Sequence, residues 1–445
     1  MKGDLTKGSV MRSMLCFAVP MILGNLLQQC YNIADTLIVG RFLGANALAA
    51  VGSSFTLMTF LTSILLGLCM GSGTLFSIRF GQGDEDGLKE GIFASFFLIL
   101  LITFLINGLV FFFIDEILFY LQVPMDVWEL MREYLLVIFC GIFATFLYNY
   151  FASLLRAVGN SMVPLLFLAI SAVLNIGLDL AFVIGWKRGV AGAAEATVIS
   201  QYVSGIGIAL YTWFRCPQLR VRRYHMKLRL ACVKEIANFS ILTCIQQSVM
   251  NLGILMVQGL VNSFGSVVMA AFAAAVKIDA FAYMPVQDFG NAFSTFIAQN
   301  YGAKEEKRIQ KALKGAVLTA FLFCVVISGI VCLFARPLML LFVDAGETEI
   351  IAQGVGYLHI EGAFYCGIGC LFLLYGLYRA LGKPGMSVVL TVFSLGTRVA
   401  LAYILSSIPE IGVVGIWWSV PIGWFLADSV GIIYYGIRKK KLLSW

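Results

Sequence analysis

The residues with the most chemical potential in this 445-residue chain are acids set inside apolar runs. Asp35 stands in Asn32-Ile33-Ala34-Asp35-Thr36, and Asp179 in Asn175-Ile176-Gly177-Leu178-Asp179. An acid at the centre of a membrane helix costs about 2.5–3.5 kcal/mol, so such residues are functional candidates. Asn175 and Asp179 are four residues apart, which puts amide and carboxylate on one helix face. Together they offer oxygens to a hard cation, or a desolvated carboxylate to a proton. The plainer alternative is that both aspartates lie near helix ends and meet water. Asp179 is only eight residues, about 12 Å of helical rise, from Lys187.

A second polar set follows later in the chain. Lys277, Asp279 and Asp288 share one apolar run, with Pro285 between the acids. Asp288 is the deeper of the two acids and the candidate for touching substrate or ion. Lys277 and Asp279 are expected nearer the membrane surface, in ordinary interfacial roles. Glu361, Arg398 and Asp428 stand in later runs, and Arg398 is expected in a structural ion pair. Aromatic residues make up 13% of the chain. A subset lining a cleft would accept flat organic cations through ring faces, with methionines giving adaptability.

Other chemistry is missing from the sequence. The stretch Gly376 to Lys383 has the wrong spacing for a nucleotide-binding loop, and Pro384 stands where Ser or Thr would bind magnesium. His225 and His359 are the only histidines, so paired histidine sites and HExxH are excluded. The eleven cysteines follow neither a zinc nor a disulfide spacing. No enzymatic activity and no cofactor are expected. Energy for transport would come from an ion gradient.

The elements that position these acids are membrane helices. The chain is 60% hydrophobic and 12% charged, with mean hydropathy +0.91, against about 25% charged in soluble domains. Apolar runs of about 20 residues suffice to cross a bilayer. Twelve are present, at 13–39, 46–78, 91–114, 131–156, 162–185, 190–214, 234–258, 266–298, 314–342, 352–379, 386–407 and 412–437. Continuous apolar runs exclude strands of an alternating barrel and imply helices. The first run is too long for the core of a cleavable signal peptide.

Basic residues cluster in the linker 215–234, around Lys304 to Lys314, and at Arg438 to Lys441. Acids cluster in the loops on the other side, at Asp115 to Glu129 and Asp344 to Glu349. The positive-inside rule then puts both termini and the linker in the cytoplasm, as an even helix count requires. The net charge of +7 is an orientation signal, and there is no basic soluble domain to bind nucleic acid.

The chain also reads as one unit written twice. Leu155-Arg156-Ala157-Val158-Gly159-Asn160 recurs as Tyr378-Arg379-Ala380-Leu381-Gly382-Lys383, and Gly189-Val190-Ala191-Gly192 as Gly412-Val413-Val414-Gly415. Gln28-Gln29 matches Gln246-Gln247, and Gly83 matches Gly302. Six helices per repeat make the two halves parallel, related by an axis along the membrane normal. The expected fold is an all-α integral membrane protein of twelve transmembrane helices in two parallel pseudo-symmetric six-helix bundles. The expected lobes are 1–214 and 234–445, joined by a solvated basic linker at 215–233. Gly67 and Gly71 form a GxxxG, read as a close-packing motif.

At this point the chain resembles the multidrug and toxic compound extrusion (MATE) family along essentially its whole length. The likeness rests on Asn32 to Gly40, Leu155 to Asn160, Asn175 to Asp179, Gly189 to Ala194 and Gln299-Asn300-Tyr301-Gly302-Ala303. The resemblance implies export of organic cations or amphipathic metabolites in exchange for protons or sodium ions. It implies that Asp35, Asn175, Asp179 and Thr197 form the polar cluster of the amino-terminal lobe, with Na+ at Asp35 and Asp179 if sodium is the coupling ion. Gln28 and Tyr134 would be neighbours of that cluster, and Pro20 a first-helix hinge. The stretch Gln246 to Gln258 lacks the seventh-helix acid of the sodium-coupled branch, which points to the DinF-like branch. The expected partners are a small organic, cationic substrate and membrane lipid, with the protein a monomer in the cell membrane. The alternative is a lipid or lipid-linked oligosaccharide flippase of the same superfamily. Such a flippase needs a cation-lined cleft, and the apolar runs show chiefly Arg398 and Lys277.

Overall fold

A computed structural model describes residues 3–120 and 123–443. The described residues form helices and no strands. The chain divides into two compact units, the first comprising residues up to Asp4 and Val19–Cys244, the second Leu5–Ala18 and Ile245–Trp445. Two helices are therefore shared. α1 (Val10–Leu43) passes from the second unit to the first after Ala18, and α9 (Leu230–Asn262) passes from the first to the second after Cys244. The sequence division at 215–233 misses this exchange, because hydropathy reports how apolar a helix is and not what it packs against.

The first unit otherwise contains α2 (Ala45–Gln82), α3 (Glu85–Phe112), α4 (Ile114–Tyr120), α5 (Met125–Cys140), α6 (Ile142–Ala157), α7 (Met162–Asp179) and α8 (Gly189–Arg215). α3 starts where the sequence supplies a cap. Asp84 accepts a hydrogen bond from the Gly87 N–H at 2.9 Å, and Glu85 and Asp86 occupy the first turn. α2 lies against α9 through the GxxxG. A Cβ on Gly67 would stand 2.5 Å from Cys244 Cα, and one on Gly71 would collide with the Phe239 carbonyl and Ser240. Beside this contact the Ser72 and Ser240 hydroxyls are 2.7 Å apart, and Arg79 pairs with Glu235 at 2.5 Å. The motif does pack helices, as small residues do in membranes.

The linker is not a free solvated tether. His225 is buried and its Nε2 lies 2.9 Å from Asp86 Oδ1, while Arg229 reaches Glu90 at 3.5 Å. Cys216 and Leu219 are also buried. The acids at the start of α3 hold the basic linker down, a pairing that local composition does not reveal.

The second unit contains α10 (Ser266–Gly302), α11 (Glu306–Leu333), α12 (Ala335–Met339), α13 (Thr348–Gly362), α14 (Tyr365–Ala380), α15 (Pro384–Ser406) and α16 (Val413–Leu442). Its first segment is anchored by the Gln299-Asn300 pair. Gln299 Oε1 accepts from the Leu5 N–H at 3.0 Å, Asn300 Nδ2 donates to the Leu5 carbonyl, and Arg308 donates to the carbonyls of Leu5, Lys7 and Gly8.

Nine described helices are each long and apolar enough to cross a bilayer, and two bent pairs raise the number to eleven. The expected run 131–156 is α5 and α6, bent by 44°, and the run 352–379 is α13 and α14, bent by 52°. α8 occupies the remaining expected run. Its buried face carries Ser200, Ser204 and Thr212, which dilute its hydropathy. The repeated glycines end or start helices in a left-handed conformation, Gly159 and Gly382 with φ of 82° and 70°, Gly189 and Gly412 with φ of 65° and 53°. Only glycine takes these values without strain, which explains why both copies of the repeat keep it.

Candidate ion-binding and substrate site

In the first unit α1, α5, α7 and α8 bring the expected polar residues together. Asn175 and Asp179 are both buried in α7, at 2% and 0% exposure, and α8 supplies Thr197. Asn175 Nδ2 donates to Thr197 Oγ1 at 3.2 Å, and Thr197 donates onward to the Ala193 carbonyl at 3.1 Å. Asp35, half-buried on α1, has its carboxyl within hydrogen-bonding reach of Asp179. These two acids are 144 residues apart in sequence (179 minus 35) and adjacent in space.

The site is rich in acceptors and poor in donors. Asp35 Oδ1, Asn175 Oδ1 and both carboxyl oxygens of Asp179 are buried without a hydrogen-bond partner. Buried oxygens are seldom left so, because each has lost its water. One proton between the carboxyls, or one hard cation, supplies what they lack. The donor set is oxygen only, which suits Na+ or H+ and not a soft transition metal. No cluster of three or more His, Cys, Asp or Glu suited to a metal occurs among the described residues.

Tyr134, on α5, is buried and lies within electrostatic range of both acids. Gln28 is exposed on α1 and hydrogen-bonds Tyr31, whose phenol oxygen in turn feels Asp35. Tyr31 escaped the sequence reading, although it lies one helical turn before Asp35, the spacing that places it on the same face. α7 ends at Asp179 and continues as a π-helical turn, Leu180–Gly185. Such wide turns are uncommon and concentrate at functional sites. Pro20 is buried inside an unbroken α1, two residues beyond the point where the helix changes unit. Having no N–H, it cannot bond the Cys16 carbonyl, so α1 bends most easily there.

Asp288 is buried at 3% exposure in α10 and belongs to the second unit, not to the cluster of Asp35. The second unit has its own acids. Asp279 is 4% exposed and Glu361 is 1% exposed, both enclosed by protein. Tyr365 donates to Asp279 Oδ1 at 2.5 Å, and Tyr357 donates to Glu361 Oε2 at 2.8 Å. Arg398 acts on both carboxyls electrostatically, while Lys277 on the same helix as Asp279 is exposed. Helix phase separates the two: residues 277 and 279 are about 200° apart around the axis, so one faces out and the other in.

Comparison with known proteins agrees with this architecture. The MatE family model matches residues 20–181 and 240–404. The probable multidrug resistance protein YpnP of Bacillus subtilis (strain 168) is 31% identical over 99% of this chain and 98% of its own length. The probable multidrug resistance protein NorM of Thermotoga maritima is 24% identical over 92% of this chain and 88% of its own. A MOP superfamily transporter from Pyrococcus furiosus has the same fold, with a TM-score of 0.94 at 24% identity over 100% of this chain and 99% of that one. The matched segments fall in both halves, so the chain belongs to the MatE family of multi-pass membrane transporters.

Proposed function

We propose that this transporter is a secondary antiporter. It exports organic cations or amphipathic metabolites from the cytoplasm in exchange for protons or sodium ions, with its termini cytoplasmic. The observation that carries the reading is the meeting of Asp35 and Asp179, whose enclosed carboxyl oxygens have no donors. A site of this kind is costly in a membrane unless an ion occupies it for part of a cycle. Asn175 and Thr197 orient the α7 side of the site. Tyr134 and Gln28 border it, Pro20 lets α1 bend as it fills, and Asp288 lies on the substrate path. An ion moves the conformational equilibrium only by binding the two states differently, and a carboxyl pair on two different helices responds to their separation.

The reading is tested by efflux of a fluorescent organic cation from pump-deficient cells. The parent is expected to lower the accumulated dye, and Asp35→Asn, at equal membrane expression, to leave it at the level of empty cells. Normal efflux by Asp35→Asn removes the amino-terminal site from the mechanism.

A further inference from the structure

We propose that the second unit holds an oxyanion subsite centred on Arg379, which takes the carboxylate or phosphate of an amphiphilic ligand. Arg379 lies in the last turn of α14 and is 4% exposed. Its partners are neutral. Nη2 donates to Asn291 Oδ1 at 3.1 Å and Nε to Ser294 Oγ at 3.4 Å. Among the described residues it forms no ion pair. A buried guanidinium without an acid is expensive, and inside a membrane protein it usually faces a counter-ion or a ligand path.

A small, partly open cleft of about 20 Å³ lies beside it, walled by Met250 and Phe372 and lined by the polar residues Gln246, Gln247, Gln287, Asn291, Tyr375 and Arg379. Four of these six are amides, and none is an acid. Gln246 is 4% exposed and its Oε1 has no partner. Amide oxygen and nitrogen exchange places by a flip, so the same side chain turned over puts two N–H groups where that oxygen stands. The guanidinium and the amides give this lining N–H donors, in contrast to the carboxyl oxygens around Asp179. A planar guanidinium matches a carboxylate or phosphate in two parallel hydrogen bonds.

The repeat explains how this cavity arises and why it is particular to one half. Gln246-Gln247 and Arg379 are the second copies of Gln28-Gln29 and Arg156. The pairing of Gly83 with Gly302 sets Leu68 and Leu75 of α2 against Gln287 and Ser294 of α10. At these two positions the first copy is apolar where the second is polar, while Asn291 falls opposite Ser72. Close approach of α10 and α14 completes the wall: a Cβ on Gly376 would lie 2.7 Å from the Gly290 carbonyl oxygen and 3.2 Å from Ser294 Cβ.

The proposal rests on the export reading only in treating the ligand as cargo, and binding is measured without transport. Purified protein in detergent is titrated with tetramethylrhodamine, which carries a free carboxylate, and with its methyl ester, which does not. Anisotropy reports both. The parent is expected to bind the acid at least tenfold more tightly than the ester. Arg379→Gln is expected to abolish that preference, and Arg379→Lys to keep part of it. Gln246→Glu, which offers the guanidinium an internal carboxylate, is expected to abolish it while the protein stays folded. Competition by hexanoate and by dihexanoylphosphatidate distinguishes a carboxylate ligand from a lipid phosphate by which displaces the dye at the lower concentration. Equal binding of acid and ester by the parent, or a preference that survives in Gln246→Glu or a folded Arg379→Gln, overturns the proposal. Failure of export with the acid preference intact would instead count against the antiport reading alone.

Discussion

Replacing Gly67 by alanine tests the packing on which the first unit depends. The new methyl carbon would stand 2.5 Å from Cys244 Cα, 2.9 Å from its nitrogen and 3.1 Å from the Thr243 carbonyl oxygen. Ordinary carbon contacts begin near 3.5 Å, so α2 and α9 must part by about 1 Å. All three obstacles are backbone atoms, which cannot swing aside as a side chain would. Overpacking of this kind costs about 1–3 kcal/mol. The same displacement would lengthen the 2.7 Å contact between the Ser72 and Ser240 hydroxyls, adding to the loss. Gly52→Ala, on the same helix, is the control, because a Cβ there meets nothing within 4 Å. Thermal unfolding of detergent-solubilised protein, followed by loss of the monodisperse peak, is expected to drop by on the order of 5 °C for Gly67→Ala. Gly52→Ala is expected to stay within about 0.5 kcal/mol of the parent. Equal melting of Gly67→Ala and the parent, or an equal drop in Gly52→Ala, would refute the claimed contact between α2 and α9.

Two further changes probe the second unit. Arg308→Gln removes the cation that holds three carbonyls of the segment Leu5–Gly8. A loss of about 1.4 kcal/mol there corresponds to tenfold faster trypsin cleavage after Lys7, and unchanged cleavage would show that the segment is held by other contacts. Tyr365→Phe deprives Asp279 of its 2.5 Å donor and should destabilise by about 1–3 kcal/mol. Adding Asp279→Asn should make the double variant cost less than the sum of the singles, whereas strict additivity would mean the two groups are not coupled.

Much of this molecule was legible in its sequence because membrane helices announce themselves by continuous hydropathy and the repeat by its glycines. The face shared by Asn175 and Asp179 followed from a spacing of four, and Thr197, named through the family resemblance, meets Asn175 from α8. What stayed hidden depends on contacts far apart in the chain. The bends fall at Gly141 and just after Gly362, inside runs read as single spans, because a glycine in an apolar run does not by itself say that the helix breaks there. The π-helical turn after Asp179 is a backbone change of one residue per turn, with no side-chain signature. Asp279 and Lys277 were read together as neighbours, but helix phase and not sequence proximity decides burial, and only Asp279 is enclosed. Arg379 was read as part of a repeated turn, and only the approach of α10 to α14 at Gly290 and Gly376 shows that its side chain is enclosed. The exchange of the first parts of α1 and α9 between units is likewise a tertiary fact.

The central claim is that Asp35 and Asp179 carry the coupling ion. The most direct measurement is ion flux in proteoliposomes, with a pH-sensitive dye or a sodium indicator in the lumen and an organic cation added on the opposite side. The parent should answer the added substrate with a counterflow of protons or sodium ions, and Asp35→Asn and Asp179→Asn should each abolish it while the protein remains folded in the bilayer. Substrate-driven ion flux of parental size in either variant would contradict the account.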